Sequence, residues 1–375
     1  MPRDLTESIK EKAYELGFSL VGISPVGDYP ESQYYKKWLN KGYEAGMDYM
    51  ARNQEKREDV RNLVPGARSV ISCAINYNTD YPYSTALNDR KKGWIARYAW
   101  GDDYHSLIKN KLEQLKQYMS ENNCPGEEDR IYVDTGPVLE RMYAKYSGIG
   151  WIGKNTCLIN QEIGSWLLIG ELITTAELEY DSQAAERCGT CTSCIDSCPT
   201  DAITRPYEID SSKCISFLTI ENKESIPAEY REPVGSNIFG CDICQDVCPW
   251  NGKAESVNIK EFLPREGLFY PELKWLSGMD QEQFSKFFKD SPVKRSKRRG
   301  LLRNVLVAIG NSRDGEFEDR VIDLLQDDEP LIRKHAVWAL HKISGSKHIE
   351  RFENMLESED DVTVKEELKL VLGIL

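Results

Sequence analysis

The chain has 375 residues, enough for two or three domains of ~100–200 residues each. With 40% hydrophobic and 29% charged residues, and no run near the ~18 apolar residues that a membrane span needs, a soluble globular chain is expected and a membrane protein is not. The net charge of −13 argues against a general nucleic-acid binder, because phosphate backbones attract basic surfaces.

The first 17 residues, MPRDLTESIKEKAYELG, lack an apolar signal core and read as an amphipathic helix, which points to the cytoplasm, where thiols stay reduced. Apolar runs predict strands over 69–77, 130–134 and 166–173, with helices over 102–121 and 137–147 between them. Pro137 suits the first turn of the second helix. Strands alternating with helices suggest a layered α/β or α+β domain over residues 1–180. Gly148, Gly150 and Gly153 lie in GIGWIGKN, which reads as a tight turn, since it matches neither a dinucleotide fingerprint nor a Walker loop. Asp103-x-His105 begins the D-x-H-x-x-G pattern whose histidine ligates cobalt, but Ile108 stands where glycine is needed. His105 therefore reads as structural.

Residues 181–255 hold eight of the eleven cysteines. Cys188, Cys191, Cys194 and Cys198, followed by Pro199, form C-x2-C-x2-C-x3-C-P, the bacterial ferredoxin run in which the fourth cysteine serves the other cluster. Cys214, Cys241, Cys244 and Cys248, followed by Pro249, form the second run. Two [4Fe–4S] clusters are expected, one on Cys188, Cys191, Cys194 and Cys248, the other on Cys214, Cys241, Cys244 and Cys198. Zinc often recruits histidine, and none lies between 188 and 248. Clusters this close pass single electrons, so redox work is expected. Cys73, Cys124 and Cys157 fit no ligand spacing and read as buried inert thiols. The 26 residues from Ile215 to Gly240 exceed what a plain ferredoxin needs and are expected to cover something.

Residues 256–289 read as a linker, and 290–375 as a helical tail. Leu324-Leu325-Gln326-Asp327-Asp328-Glu329 recurs 31 positions later as Met355-Leu356-Glu357-Ser358-Glu359-Asp360, the pattern of HEAT-like helix pairs. His335, His341 and His348 lie here and read as packing or surface residues. Residues 291–305 carry Lys294, Arg295, Lys297, Arg298, Arg299 and Arg303 with no acidic residue. In an acidic chain such a run is a candidate phosphate-binding surface, against the plainer reading of a solvated face.

GYEAGMDYMARN, VPGARSVI, ARYAWGDDYH, DTGPVLERMYAKYSGIGWIGKNT, LTIENKESIP and GSNIFGCDICQDVCPWN together resemble the epoxyqueuosine reductases, from Gly42 to about Asn251 and more loosely through the repeats. The resemblance implies an α+β chain: a nitroreductase-like cobalamin-binding domain, a ferredoxin-like domain with two [4Fe–4S] clusters, and the HEAT-like tail. It implies reduction of epoxyqueuosine to queuosine at the wobble position of tRNA, by cob(I)alamin fed through the clusters from an external flavodoxin- or ferredoxin-type donor. A cytoplasmic monomer is expected. Asp134, at the end of the 130–134 run and in the family motif, is the expected proton donor, with burial against the corrin raising its carboxyl pKa; a helix N-cap is the alternative. Arg57 and Arg97 are candidate cobalamin contacts, as are Leu158 and Ile169, and Ser216, Cys241 and Asp242 beside the cluster ligands. Lys294, Arg295, Lys297 and Arg298 are the candidate tRNA contacts. Two other readings stay open: a corrinoid reductive dehalogenase, which usually carries a Tat signal and no such basic run, and a ferredoxin-type electron carrier, which needs no Asp134 motif.

Overall fold

The computed structural model describes residues 2–374 except 123, 125 and 127. The chain divides into two compact units, each built from several segments. The first comprises residues 1–81, 103–212 and 243–262, the second 82–102, 213–242 and 263–375.

The first unit is built on a four-stranded antiparallel sheet of β1 (Leu20–Pro25), β2 (Ser69–Asn76), β3 (Arg130–Tyr132) and β4 (Leu167–Thr174), in the order β1-β2-β4-β3. β2 is buried along its whole length, which explains its unbroken apolar run. Around the sheet lie α1 (Pro2–Glu15), α2 (Tyr104–Glu121) and α3 (Glu140–Tyr146). α2 turns Ile108, Leu112, Leu115 and Met119 inward at helical spacing. It comes so close to β4 that a Cβ on Gly170 would lie 2.4 Å from Ile108 Cγ2. Met142 and Tyr143 of α3 pack on Ile173. Because Gly170 and Ile173 are three positions apart on one strand, α2 and α3 cover opposite faces of the sheet.

α2 begins at Tyr104, capped by Asp103, whose carboxylate accepts the His105 N–H. α3 starts at Glu140, three residues later than Pro137 suggests. The delay has a local cause. Asp134 takes a left-handed backbone conformation (φ 57°), and Glu140 reaches back to accept the Asp134 N–H at 2.6 Å. Residues 134–138 are thereby held as a loop.

In the second unit, Trp94–Ile95 pairs in parallel with Asn237–Phe239. Its helical body includes α4 (Lys297–Ser312), α5 (Pro330–Ser344) and α6 (Val362–Leu372), with shorter helices at Glu318–Leu324 and Ile349–Ser358 between them. The long inter-cysteine segment belongs here, and what it covers is α4. Arg303, fully buried, donates to the carbonyls of Leu218, Asn222 and Glu224, and Asn304 to those of Thr219 and Ile238, at 2.6–2.8 Å. Arg231 of the same segment forms a buried ion pair with Glu367 of α6 at 2.6 Å. The stretch expected as a linker is packed chain: Leu268, Leu273, Leu276, Phe284 and Phe288 join the core of this unit. His335 is buried as a packing residue, its Nδ1 2.8 Å from the Leu331 carbonyl and its Nε2 accepting the Ile226 N–H at 3.3 Å. No described helix is long and apolar enough to cross a membrane.

Candidate functional site

Asp134 stands on the loop after β3 with its side chain 64% exposed. The left-handed backbone it adopts is one that Asp and Asn tolerate better than other residues with a side chain. Its Oδ2 accepts a hydrogen bond from the Tyr104 hydroxyl at 3.1 Å and faces His105 Nε2 at 3.5 Å. His105 Nδ1 lies 2.6 Å from Asp103 Oδ1. The imidazole thus sits between two carboxylates. Burial disfavours its charge, but the hydrogen bond to Asp103 and the Asp134 carboxylate 3.5 Å away outweigh that and push His105 up to about 9. Desolvation on the side facing the protein acts to raise Asp134 even though most of the side chain meets solvent, and His105 holds it below the usual carboxylate range. This corrects the expectation of a raised Asp134: at neutral pH the proton of the pair resides on the imidazole. It also gives His105, read as structural, a place beside the candidate acid. The Asp103-x-His105 spacing is the sequence signal for this pairing, since Asp103 braces the ring whose far nitrogen faces Asp134.

A second layer of carboxyls lies beneath. Burial and the charge of Asp134 push Glu140 up to about 8. Glu171 is fully buried, accepts from Ser72 Oγ at 3.1 Å, and is pushed well above the carboxylate range by burial and by Glu140. Arg57 ties the loop from outside, donating to the Gly136 carbonyl at 3.1 Å and to the Tyr49 carbonyl at 3.4 Å. Its buried Nε has no hydrogen-bond partner among the described residues. Leu158 and Ile169 meet in a small apolar cluster with Ala74, Ala144 and Ile149.

Also in the first unit, Cys188 and Cys248 pack together with Trp151, Ile159 and Trp250, although 60 residues of sequence separate the two thiols. Burial, then Cys248, Cys188 and Cys191, push the Cys194 thiol up to about 11. Four thiols bearing on one another suit an iron–sulfur core, whose iron neutralises thiolate charge. Cys198 and Cys244 lie in this unit as well, and Cys214 and Cys241 in the second.

The second unit holds the remaining candidates. Ser216 is half-buried in the short helix after Cys214. Asp242 is buried and accepts from Trp94 Nε1 at 3.0 Å and from the Arg97 N–H at 2.7 Å, so its carboxylate anchors this part of the unit internally. Arg97 is also buried, with its guanidinium over the rings of Trp100 (4.8 Å) and Tyr83 (5.3 Å). The basic run does not act as one face. Lys294, Arg295 and Lys297 are exposed, with Arg295 paired to Glu221 at 2.8 Å. Arg298 turns inward to Asp327 at 2.6 Å and to the Met279 carbonyl at 2.9 Å, so its guanidinium is engaged within the unit. Lys223, from the inter-cysteine segment, joins the exposed group: burial lowers its pKa, and Arg295, Arg303 and Lys297 lower it further. Nothing in the local sequence marked Lys223, since its basic neighbours lie some 70 residues on.

The sequence profile described as 4Fe-4S double cluster binding domain matches residues 187–251; that described as Epoxyqueuosine reductase QueG, DUF1730 matches 57–135; and that of HEAT repeats matches 295–373. The chain is 46% identical over 309 residues to an epoxyqueuosine reductase of Leadbetterella byssophila, covering 81% of this chain and 98% of the relative. It is similar in structure to an epoxyqueuosine reductase solved with an epoxyqueuosine-modified tRNA-Tyr stem loop, with a TM-score of 0.90, 30% identity and 99% of both chains covered. A Bacillus subtilis epoxyqueuosine reductase, described with its aspartate catalytic loop swung out of the active site, matches with the same TM-score, identity and coverage. With the double-cluster domain, the acid-bearing loop and the helical repeats in one chain, and with this identity over nearly the whole length of a relative, the chain belongs to the epoxyqueuosine reductases, oxidoreductases with a domain for two [4Fe–4S] clusters.

Proposed function

We propose that Asp134 and His105 act as one acid in the reduction of epoxyqueuosine to queuosine in tRNA. The observation that carries this is the 3.5 Å pairing of His105 Nε2 with Asp134 Oδ2, with Asp103 bracing the far side of the ring. The reaction takes two electrons and two protons, breaks both epoxide C–O bonds, forms the C=C bond of the cyclopentene, and releases the oxygen as water. Cobalamin supplies the two-electron chemistry, which the clusters feed one electron at a time. Arg57, with its unpartnered buried Nε, fits a polar group of the corrin, while Leu158 and Ile169 offer apolar surface. His105 passes its proton to the shared Oδ2, and Asp134, protonated in that step, hands it on to the departing oxygen. A pair holding its proton up to about pH 9 stays charged with acid across the physiological range.

Cys188, Cys191, Cys194 and Cys248 hold one cluster, and spacing assigns Cys198, Cys214, Cys241 and Cys244 to the other. Lys294, Arg295 and Lys297, with Lys223, form the phosphate-binding surface for the tRNA. The enzyme works as a cytoplasmic monomer, with a flavodoxin- or ferredoxin-type donor supplying electrons. Single-turnover reduction of an epoxyqueuosine-containing anticodon stem loop, with the corrinoid reduced chemically and the nucleoside identified by mass, tests the reading. Queuosine is the expected product. Intact epoxyqueuosine in the presence of fully reduced corrinoid would refute it.

A further inference from the structure

The GIGWIGKN motif has no part in the acid chemistry, yet the fold lays it against the cysteine loops of the first unit. Trp151–Ile152 and Leu158–Ile159 pair as an antiparallel hairpin. Its loop turns tightly enough that a Cβ on Gly153 would lie 2.4 Å from Ile159 Cδ1. Next comes Lys154, only 9% exposed. Its Nζ donates to the Gly189 carbonyl at 2.6 Å and the Cys191 carbonyl at 2.8 Å, both in the loop that begins at Cys188. Although burial raises the Cys188 thiol overall, the Lys154 backbone N–H hydrogen-bonds it and favours the thiolate. Asn155 continues the pattern, donating to the Cys244 carbonyl at 3.3 Å.

What surrounds Nζ matters as much. Among the described residues its hydrogen-bond partners are two carbonyl dipoles and no carboxylate, so its positive charge is solvated but not cancelled. The carboxylates that bear on these thiols, Glu186 on Cys188 and Asp196 on Cys191, are exposed and screened by water. A buried charge of this kind is costly, and an apolar side chain would fill the space at less cost. What it adds is a field at the sulfurs, together with an N–H···S bond. Net charge and hydrogen bonds to sulfur are two of the quantities that set cluster potentials.

We propose that Lys154 raises the reduction potential of the cluster held by Cys188, Cys191, Cys194 and Cys248, favouring the state that has accepted one electron from the external low-potential donor. The proposal rests on the ligand sets given above, and the test separates the two. Redox titration of anaerobically reconstituted enzyme, followed by electron paramagnetic resonance, is made on wild type, Lys154→Gln and Lys154→Arg, with Cys188→Ser identifying which signal belongs to that cluster. Gln keeps a donor for one carbonyl and removes the charge. It should weaken one-electron reduction of that cluster by about tenfold, ~59 mV, leave the other unchanged, and be rescued by Arg. Unchanged midpoints, a shift of both clusters, or iron lost from Gln but kept by Arg would overturn the tuning role. A shift in the signal that Cys188→Ser leaves alone would overturn the ligand assignment instead.

Discussion

In the acid site of the first unit, groups from separate stretches of chain become one titrating set: Asp103 and His105 from the start of α2, Asp134 from the loop after β3, and Glu140 from α3. In the second unit the reverse happens to the basic run. Six cations within 291–305 are dispersed by the fold into solvent-facing Lys294 and Lys297, Arg295 paired at the surface, half-buried Arg299, Arg298 bound to Asp327, and Arg303 enclosed among carbonyls. Adjacency in sequence is therefore a poor guide to which charges act together. A helix turns neighbours by ~100° each, so contiguous charges are driven onto different faces, while loops and caps bring distant ones within coupling range.

The sharpest attempt to break this contrast is Asp134→Asn. Asn tolerates the left-handed backbone and keeps a partner for Tyr104, so fold, iron and corrinoid content should be unchanged. Single-turnover reduction should fall by ~10²–10⁴-fold, the usual worth of general acid catalysis. Wild-type turnover in this variant would leave Asp134 a loop residue only.

In the basic run, replacing Lys223, Arg295 and Lys297 by Gln should lower the log–log salt dependence of tRNA binding by ~0.7–0.9 per lost contact. Arg298→Gln should leave that slope alone and lower thermal stability, because Asp327 loses its partner. Equal slopes for the triple variant and wild type would return the exposed residues to a solvated face.

His105→Gln should cost on the order of tenfold in the proton step, less than loss of the carboxyl, because Asp134 remains. Its clearer signature lies in pH. His105 is raised in the folded enzyme, so the acid form is present below about 9 and lost above it. The wild-type rate should hold to about pH 9 and then fall, and in the variant the fall should come at lower pH. Identical profiles would detach His105 from the acid.

The smallest effect belongs to Glu140→Gln. A carboxyl raised to about 8 stabilises the fold fully below its ordinary value near 4.5 and loses that contribution as pH rises through 8. Gln can still accept the Asp134 N–H, so the melting temperature of the variant should gain on wild type between pH 5 and 8. A gap that does not change with pH would mean Glu140 titrates normally.

Much of the fold could be read from the chain because it is written in local pattern: the apolar run of β2, the helical spacing in α2, and the recurring acidic turns of the tail. The start of α3 could not, since Pro137 is a valid first-turn residue and only the reach of Glu140 back to Asp134 delays the helix. Nor could the nature of 256–289, where Phe262, Leu268, Leu273 and Phe288 are spaced too irregularly to announce a core. At the site, Asp134 was visible through its motif. Its charge state was not, because that depends on an imidazole some thirty positions earlier whose role follows only once α2 is docked on β4.

The enclosure of Arg303 and Asn304 bears on the order in which the protein is made. Residues 213–242, which carry Cys214 and Cys241, leave the ribosome about 55 or more residues ahead of α4, yet five carbonyls of that stretch accept from Arg303 and Asn304 of α4. Until α4 emerges, the segment framing those two cysteines cannot be buried without orphaned polar groups. The frame around Cys214 and Cys241 is therefore complete only once the C-terminal helices are made, and a nascent chain stalled before residue 303 would present these thiols on unfinished structure.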